Sequence, residues 1–219
     1  MQTLTLFPIE ESLSTKWENM VTTVSSDERQ IIAWIMRLHN GGKCFDVDAC
    51  YSTGRFWDGL PKPLLKYDIH PQTDDTIKAN AENLPLDDGS VSSIMFDPPF
   101  VVAPNPKPGI IRDRFSCYQT IDRLWTFYRN AITEFYRVLS VGGMLTIKCQ
   151  DTVSSAKQYL SHVAIINAAE AVGFYSKDLF ILTRDNVLWS PNMEHQRHAR
   201  KTHCYFLVFT KEFPRPKRG

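Results

Sequence analysis

Val91-Ser92-Ser93-Ile94-Met95-Phe96-Asp97-Pro98-Pro99-Phe100 is an apolar run that reads as a buried strand and then stops at an acid, two prolines and an aromatic ring. Proline cannot donate to a sheet ladder and fixes its own φ, so Asp97 and the carbonyls beside it are held rigidly at the strand's carboxyl end. In an open α/β sheet that edge is where ligands bind. Sheet building alone does not ask for this combination, which marks the stretch as a site.

Working outward, Lys43-Cys44-Phe45-Asp46-Val47-Asp48 predicts a short strand and Leu64-Leu65-Lys66-Tyr67-Asp68 a second, separated by a segment rich in turn formers. Asp87-Asp88-Gly89 then turns the chain into the 91–96 strand. Before all of these, Ser25 and Glu28 have capping-box spacing, and Ile31, Ile32, Ile35 and Leu38 share a face until Gly41-Gly42, predicting a helix over 26–39. Beyond Phe100, Pro104, Pro106, Pro108 and Gly109 make an irregular segment long enough to act as a lid. Ile121, Leu124, Trp125, Tyr128, Ile132, Phe135 and Leu139 then recur at helical spacing, with Gly142-Gly143 expected to end the helix before a strand at Met144–Cys149. A second helix is expected from about Ser154 to Val172. Strands follow at Leu179–Thr183 and His203–Thr210, and no helix lies between them, so they should form an antiparallel hairpin at one side of the sheet. The alternation earlier in the chain predicts an α/β fold: a mostly parallel sheet with right-handed crossovers and helices on both faces.

The 219 residues are 43% hydrophobic and 22% charged, enough apolar material for one sizeable core, and a single domain over 1–219 is expected. No run has the length of a membrane span, and Glu10, Glu11 and Glu18 sit where a signal peptide would be apolar, so a cytosolic location is expected. Cys44, Cys50, Cys117, Cys149 and Cys204 form no C-x-x-C pair and read as reduced core thiols, with no metal site. Net charge is +1, yet Arg197, Arg200, Lys201, Lys211, Arg215, Lys217 and Arg218 make the carboxyl-terminal stretch locally basic.

Asp46, Asp68 and Asp97 fall at three predicted strand ends, which parallel topology brings to one edge. Asp68 stands where a carboxylate can accept from both hydroxyls of a ribose. The first loop has no G-x-G-x-x-G, only Gly54, which argues against a dinucleotide, whose pyrophosphate needs several close backbone approaches. S-adenosylmethionine (SAM), which carries no phosphate, fits. Its adenosine would meet Asp68 and a polar group in the next loop, Asn80, with Glu82 or Asn83 as alternatives. Its amino-acid end would lie along the first loop, which holds Tyr51 and Gly54. Asp97-Pro98-Pro99-Phe100 suits an exocyclic amine. The lone pair of adenine N6 or cytosine N4 is delocalised into the ring, and two acceptors, the Asp97 carboxylate and the Pro98 carbonyl, favour the pyramidal nitrogen and aim its lone pair. Phe100 supplies a face on which an unstacked base can lie.

These residues carry a resemblance. Asp97-Pro98-Pro99-Phe100 is similar to the catalytic motif of the class I SAM-dependent amino-methyltransferases of nucleic acids, and the stretches 45–57 and 83–100 resemble small methyltransferases of bacteria and their phages. The resemblance covers about residues 43–210. It implies a Rossmann-like sheet of seven strands with an antiparallel last strand, a core over 43–210, an extension and helix over 1–42 and a basic tail over 211–219. It implies that Asp97, Pro98, Pro99 and Phe100 bind the target amine and base, and that Asp46, Gly54 and Asp68 line the SAM site. Asp at the first motif position favours adenine N6 over cytosine N4.

Almost nothing of this sequence is left after the core, so no separate target-recognition domain is expected. Sequence reading then falls to the loops 101–118 and 184–201, to a second copy of the chain or to a recognition partner. Arg112 and Arg114 in the first loop, and Arg184, Trp189, Arg197, Arg200 and Lys201 in the second, are candidates for phosphates and an unstacked base. Lys148, at the end of the Met144–Cys149 strand, is a further candidate. The expected polymer is DNA, with a structured tRNA or rRNA, or a non-catalytic nucleic-acid-binding subunit, as alternatives.

Overall fold

The computed structural model describes residues 20–100, 102, 118–184 and 197–212. Along the chain come β1 (Val24–Ser25), α1 (Glu28–His39), β2 (Val47–Asp48), a 3-10 turn (Arg55–Trp57), β3 (Leu65–Asp68), β4 (Ile77–Lys78) and β5 (Val91–Phe96). Then follow α2 (Ile121–Val138), β6 (Leu139–Cys149), β7 (Thr152–Ser154), β8 (Lys157–Tyr159), α3 (Ser161–Val172), β9 (Phe174–Thr183) and β10 (His203–Lys211). The main sheet has the order β1-β9-β10-β6-β5-β2-β3-β4. Every neighbouring pair is parallel except those made by β10, which runs antiparallel to both β6 and β9. Without β1, this is the expected seven-stranded, Rossmann-like class I methyltransferase sheet. The eighth strand, β1, is two residues long and pairs with β9, too short to leave a period in the sequence.

The parallel strands are short and apolar because both their faces are covered. On one face α1 buries Ile31, Ile32, Ile35 and Met36 against Phe45, Trp57, Met95, Phe180 and Phe206. On the other, α2 and α3 bury Leu124, Tyr128, Ile132, Phe135, Ile165 and Ala169 against Val47, Ile94, Phe96 and Leu145. Each such apolar side chain contributes about 1.5–3 kcal/mol by leaving water. β5, the strand on which the motif rides, is therefore buried on both faces from Ser93 to Phe96.

Several elements differ from the sequence-based expectation, each for a local reason. α1 is capped by Asp27, whose carboxylate accepts from Arg29 N at 2.9 Å, not by Ser25, which lies in β1. Glu28 is thereby released from the expected capping box. Gly142-Gly143 does not end a helix: α2 stops at Val138 and β6 begins at once. The glycines sit in a bulge where the β5–β6 register slips between Val91 and Ser93. Gly142 has φ +81°, and a Cβ on Gly143 would stand 2.8 Å from the Ser140 carbonyl oxygen. The helix expected from Ser154 starts instead at Ser161, because 152–159 forms a tight antiparallel hairpin, β7–β8. Its turn residues Ser155 and Ala156 hold φ of 50° and 59°, and neither type advertises a left-handed turn. No helix among the described residues is long and apolar enough to cross a membrane.

Candidate active site

The carboxyl ends of β2, β3 and β5 open on a cavity of about 1070 Å³. Asp48, Asp68 and Asp97 line it, with Tyr51 and Gly54 from the first loop, Asn80 from the loop after β4, and Pro98, Pro99 and Phe100 beyond β5. The pocket is thus where the strand-end argument places it.

One acid differs from expectation. Asp46 lies outside the cavity lining, at the start of β2, where one carboxylate oxygen accepts from Ser92 N and Ser92 Oγ at 2.6 Å each and from Ser93 N at 3.2 Å. It ties the amino ends of β2 and β5 together. Asp48 is the acid at the strand's carboxyl end, 2% exposed, with Oδ1 accepting from Cys50 N at 2.8 Å and Oδ2 from Trp57 Nε1 at 2.7 Å. The sequence did hold this signal: the turn-rich segment begins at Ala49, so the last strand residue is Asp48.

Asp48, Asp68 and Asp97, among the acids that line the cavity, are handled differently. Burial pushes Asp48 up to about 7, with the charges of Asp97 and Asp68 adding to it, while the hydrogen bonds from Trp57 and Cys50 oppose it. Folding thus favours its protonated form, a contribution complete below the ordinary 3.8 and lost as the pH rises through about 7. Asp68 has each oxygen fixed by a backbone amide, Ser52 N on Oδ2 and His70 N on Oδ1, both at 2.8 Å. Asp97 is raised by burial, against the pull of Lys148, whose Nζ lies 3.0 Å from its Oδ2. Each oxygen of Asp68 keeps a second lone pair for a further donor.

The first loop is shaped by Gly54, at φ +73°, where a Cβ would stand 2.6 Å from the Tyr51 hydroxyl. Only glycine lets the loop close over that buried ring. Asn80 holds its own turn, Oδ1 accepting from Glu82 N at 3.0 Å, while facing the cavity. Tyr118 and Phe127, rings 5.3 Å apart, form an aromatic wall near Phe96 that the sequence reading assigned to the core or passed over.

The nucleic-acid candidates divide. Arg184 lines the main cavity and acts on Asp97. Arg197, Arg200 and Lys201 line a second groove of about 480 Å³ against the β7–β8 turn, where His198 Nε2 lies 2.8 Å from the Ala156 carbonyl oxygen. Lys148 is not free for a phosphate. Its side chain is 8% exposed and held between Asp97 and Glu28 Oε1, at 3.0 and 2.6 Å. Arg112, Arg114 and Trp189, and most of the expected lid, lie outside the described residues.

The family model of the N6/N4 methyltransferases, described as DNA methylase, matches residues 91–217, more than half of the chain. The chain belongs to this DNA methylase family. No curated protein matches it. Among solved structures, it is similar to a Thermus thermophilus protein provisionally assigned as a DNA modification methylase, in complex with SAM, at 19% identity and a TM-score of 0.45. That alignment covers 64% of this methylase and 56% of the Thermus chain, so the methylase spans little more than half of that relative's length. It is also similar to a Thermotoga maritima SAM-dependent methyltransferase described as a possible histamine N-methyltransferase, at 17% identity, 76% and 81% coverage and a TM-score of 0.48.

Asp46→Ala should lower the unfolding free energy of the methylase by about 1.5–3 kcal/mol, the worth of hydrogen bonds to a charged group, and leave SAM affinity unchanged. Urea denaturation and calorimetric SAM titration check the two halves of this expectation.

Proposed function

We propose that the protein methylates the exocyclic N6 amine of adenine in DNA, on a base turned out of its helix into the cavity beside Asp97. The observation that carries this reading is Asp97-Pro98-Pro99-Phe100 at the rim of a cavity that also holds Asp48 and Asp68. The donor set suits SAM: a cationic ligand is favoured where three carboxylates converge, and Asp68 is fixed to accept from a ribose. Tyr51, Gly54 and Asn80 border the same space. Bound there, SAM supplies a methyl group on a positively charged sulfur.

The chain's own residues do the rest. Asp97 and the Pro98 carbonyl each accept one hydrogen of the amine, which turns the nitrogen lone pair out of conjugation and aims it. SAM held there would give up its methyl group to the amine nitrogen, the carbon–sulfur electron pair staying with sulfur, and the Asp97 carboxylate would take the proton that the nitrogen sheds. Pro98 and Pro99 hold the acceptors still, and Phe100 stacks on the base. Arg184 on the cavity wall, and Arg197, Arg200 and Lys201 in the second groove, offer cations to the flanking phosphates.

Asp97→Ala should abolish methyl transfer while SAM affinity stays within a few fold, because the partner of Asp97 is the amine. Asp68→Ala should weaken SAM binding by about 1.5–3 kcal/mol. Radiolabelled methyl transfer and calorimetry measure both, and wild-type turnover in Asp97→Ala would sink the mechanism. Labelling nucleic acid with methyl-tritiated SAM, followed by digestion with DNase or RNase and nucleoside mass spectrometry, decides the polymer and the base.

SAM affinity should also rise with pH. A cation favours ionised Asp48, so binding strengthens as the pH climbs through about 7 and releases a proton below it. Calorimetry in buffers of different ionisation enthalpy reads that proton, and Asp48→Asn should flatten the dependence.

A further inference from the structure

Lys148 lies opposite Phe206 in the β6–β10 ladder, near the end of β6. Its ammonium sits over the rings of Phe56 and Phe206, 5.1 and 5.8 Å from their centroids. With the side chain 8% exposed, no solvent shell is left to it. Burial alone would lower its hold on the proton, but Asp97 and Glu28 outweigh burial and raise it, so the ammonium stays charged. Glu28 reaches it from the first turn of α1, free of the capping role its sequence position suggests. A buried cation held at two carboxylates, one of them in the motif, is more than a fold requires, since removing either partner leaves an uncompensated charge.

We propose that Lys148 is a positioning residue for the reacting carboxylate: clamped by Glu28 of α1, it occupies one oxygen of Asp97 and leaves the other for the target amine. The inference rests on the methyl-transfer reading above. It explains how Asp97 acts as an acceptor in a place that disfavours its charge. Burial raises Asp97, as does the charge of Glu28, while Lys148 and Arg184 lower it. Asp48 of β2 also acts in this field, and Arg55, Asp68, His70, Glu82, Asp122 and Arg123 line the same cavity. Cys50, Tyr128, Cys149 and Cys204 also act in this field, each with its proton held more tightly because of burial. A protonated Asp97 would lose an acceptor site to its own proton, and the amine would lose its orientation.

The test compares Lys148→Met, Lys148→Arg and Glu28→Gln with wild type by carbon-13 NMR titration of the Asp97 carboxyl, assigned with Asp97→Asn. Single-turnover methylation at saturating SAM is measured in parallel across pH. Lys148→Met should raise the Asp97 midpoint by about one pH unit or more, the effect of losing an opposite charge at contact distance. The acid limb of the rate profile should move up with it, and Lys148→Arg should restore both. Glu28→Gln should move the midpoint and the limb the other way. Opposite signs are the signature of a clamp, because loss of packing alone has no reason to produce them. Shifts of the same sign, or no shift in either variant, would overturn the proposal. If Lys148→Met does not fold, Glu28→Gln alone decides: a midpoint unchanged or raised refutes the clamp. The NMR titration needs no turnover, so a wild-type protein that methylates no DNA refutes the proposed function and leaves the clamp to be judged by the carboxyl shifts.

Discussion

Three carboxylates share one buried edge, and the rest of the site is arranged around keeping them there. Parallel topology makes this unavoidable once β2, β3 and β5 each end in an acid or lead straight into one, since all three strands point the same way. Burial disfavours the charged form of each, and neighbouring like charges add to that cost. The protein meets this in three different ways: a carboxyl pushed up to about 7 at Asp48, two backbone amides on Asp68 and a lysine on Asp97. The third opposes the burial that raises Asp97 and does so without filling the cavity.

Those devices account for features that look unrelated along the chain. Trp57 is fully buried at the end of a 3-10 turn because its indole N–H must reach Asp48. The loop that carries it closes only through Gly54, over Tyr51. α1 packs its isoleucines on the sheet, and that packing sets Glu28 beside Lys148. A substitution in the apolar face of α1 would therefore act on the site as well as on stability, through the position of one carboxylate.

The sheet was legible in the sequence because long, strongly patterned elements carry their own evidence. β5, α1, α2 and the β9–β10 hairpin follow from apolar spacing and from the missing helix between Thr183 and His203. Short elements did not announce themselves: β1 and β4 are two residues each, and the β7–β8 turn uses Ser155 and Ala156 where glycine or asparagine would have signalled it. The edge occupied by the motif was readable, since packing and pairing give a buried strand no reason to end in an acid and two prolines. Which acid of Phe45-Asp46-Val47-Asp48 faces the cavity was decided by two residues of strand, and Asp46 instead ties β2 to Ser92 and Ser93. Lys148 was visible as a cation near the right edge, but its partner Glu28 is 120 residues away in sequence and sat in a plausible capping box. Pairings of that kind are properties of packing, and no local pattern encodes them.

The antiparallel strand completes the logic. With β10 between β6 and β9, Phe206 stands opposite Lys148 and provides a ring beneath its ammonium, while Thr202 accepts from Arg184 N at 2.7 Å and fixes the cation that follows β9. Because β10 runs against its neighbours, its amino end reaches the same edge as the carboxyl ends of the others, and it brings Arg197, Arg200 and Lys201 there just ahead of it. Asp48, Asp68 and Asp97 thus come from the β5-β2-β3 half of the edge, and Lys148, Arg184, Arg197, Arg200 and Lys201 from the β6-β10-β9 half. Asp97 and Lys148 meet at the boundary, on adjacent strands β5 and β6. The sheet order thus sets the acid of the motif beside a lysine of the neighbouring strand, with the cations that precede β10 on the far side of it.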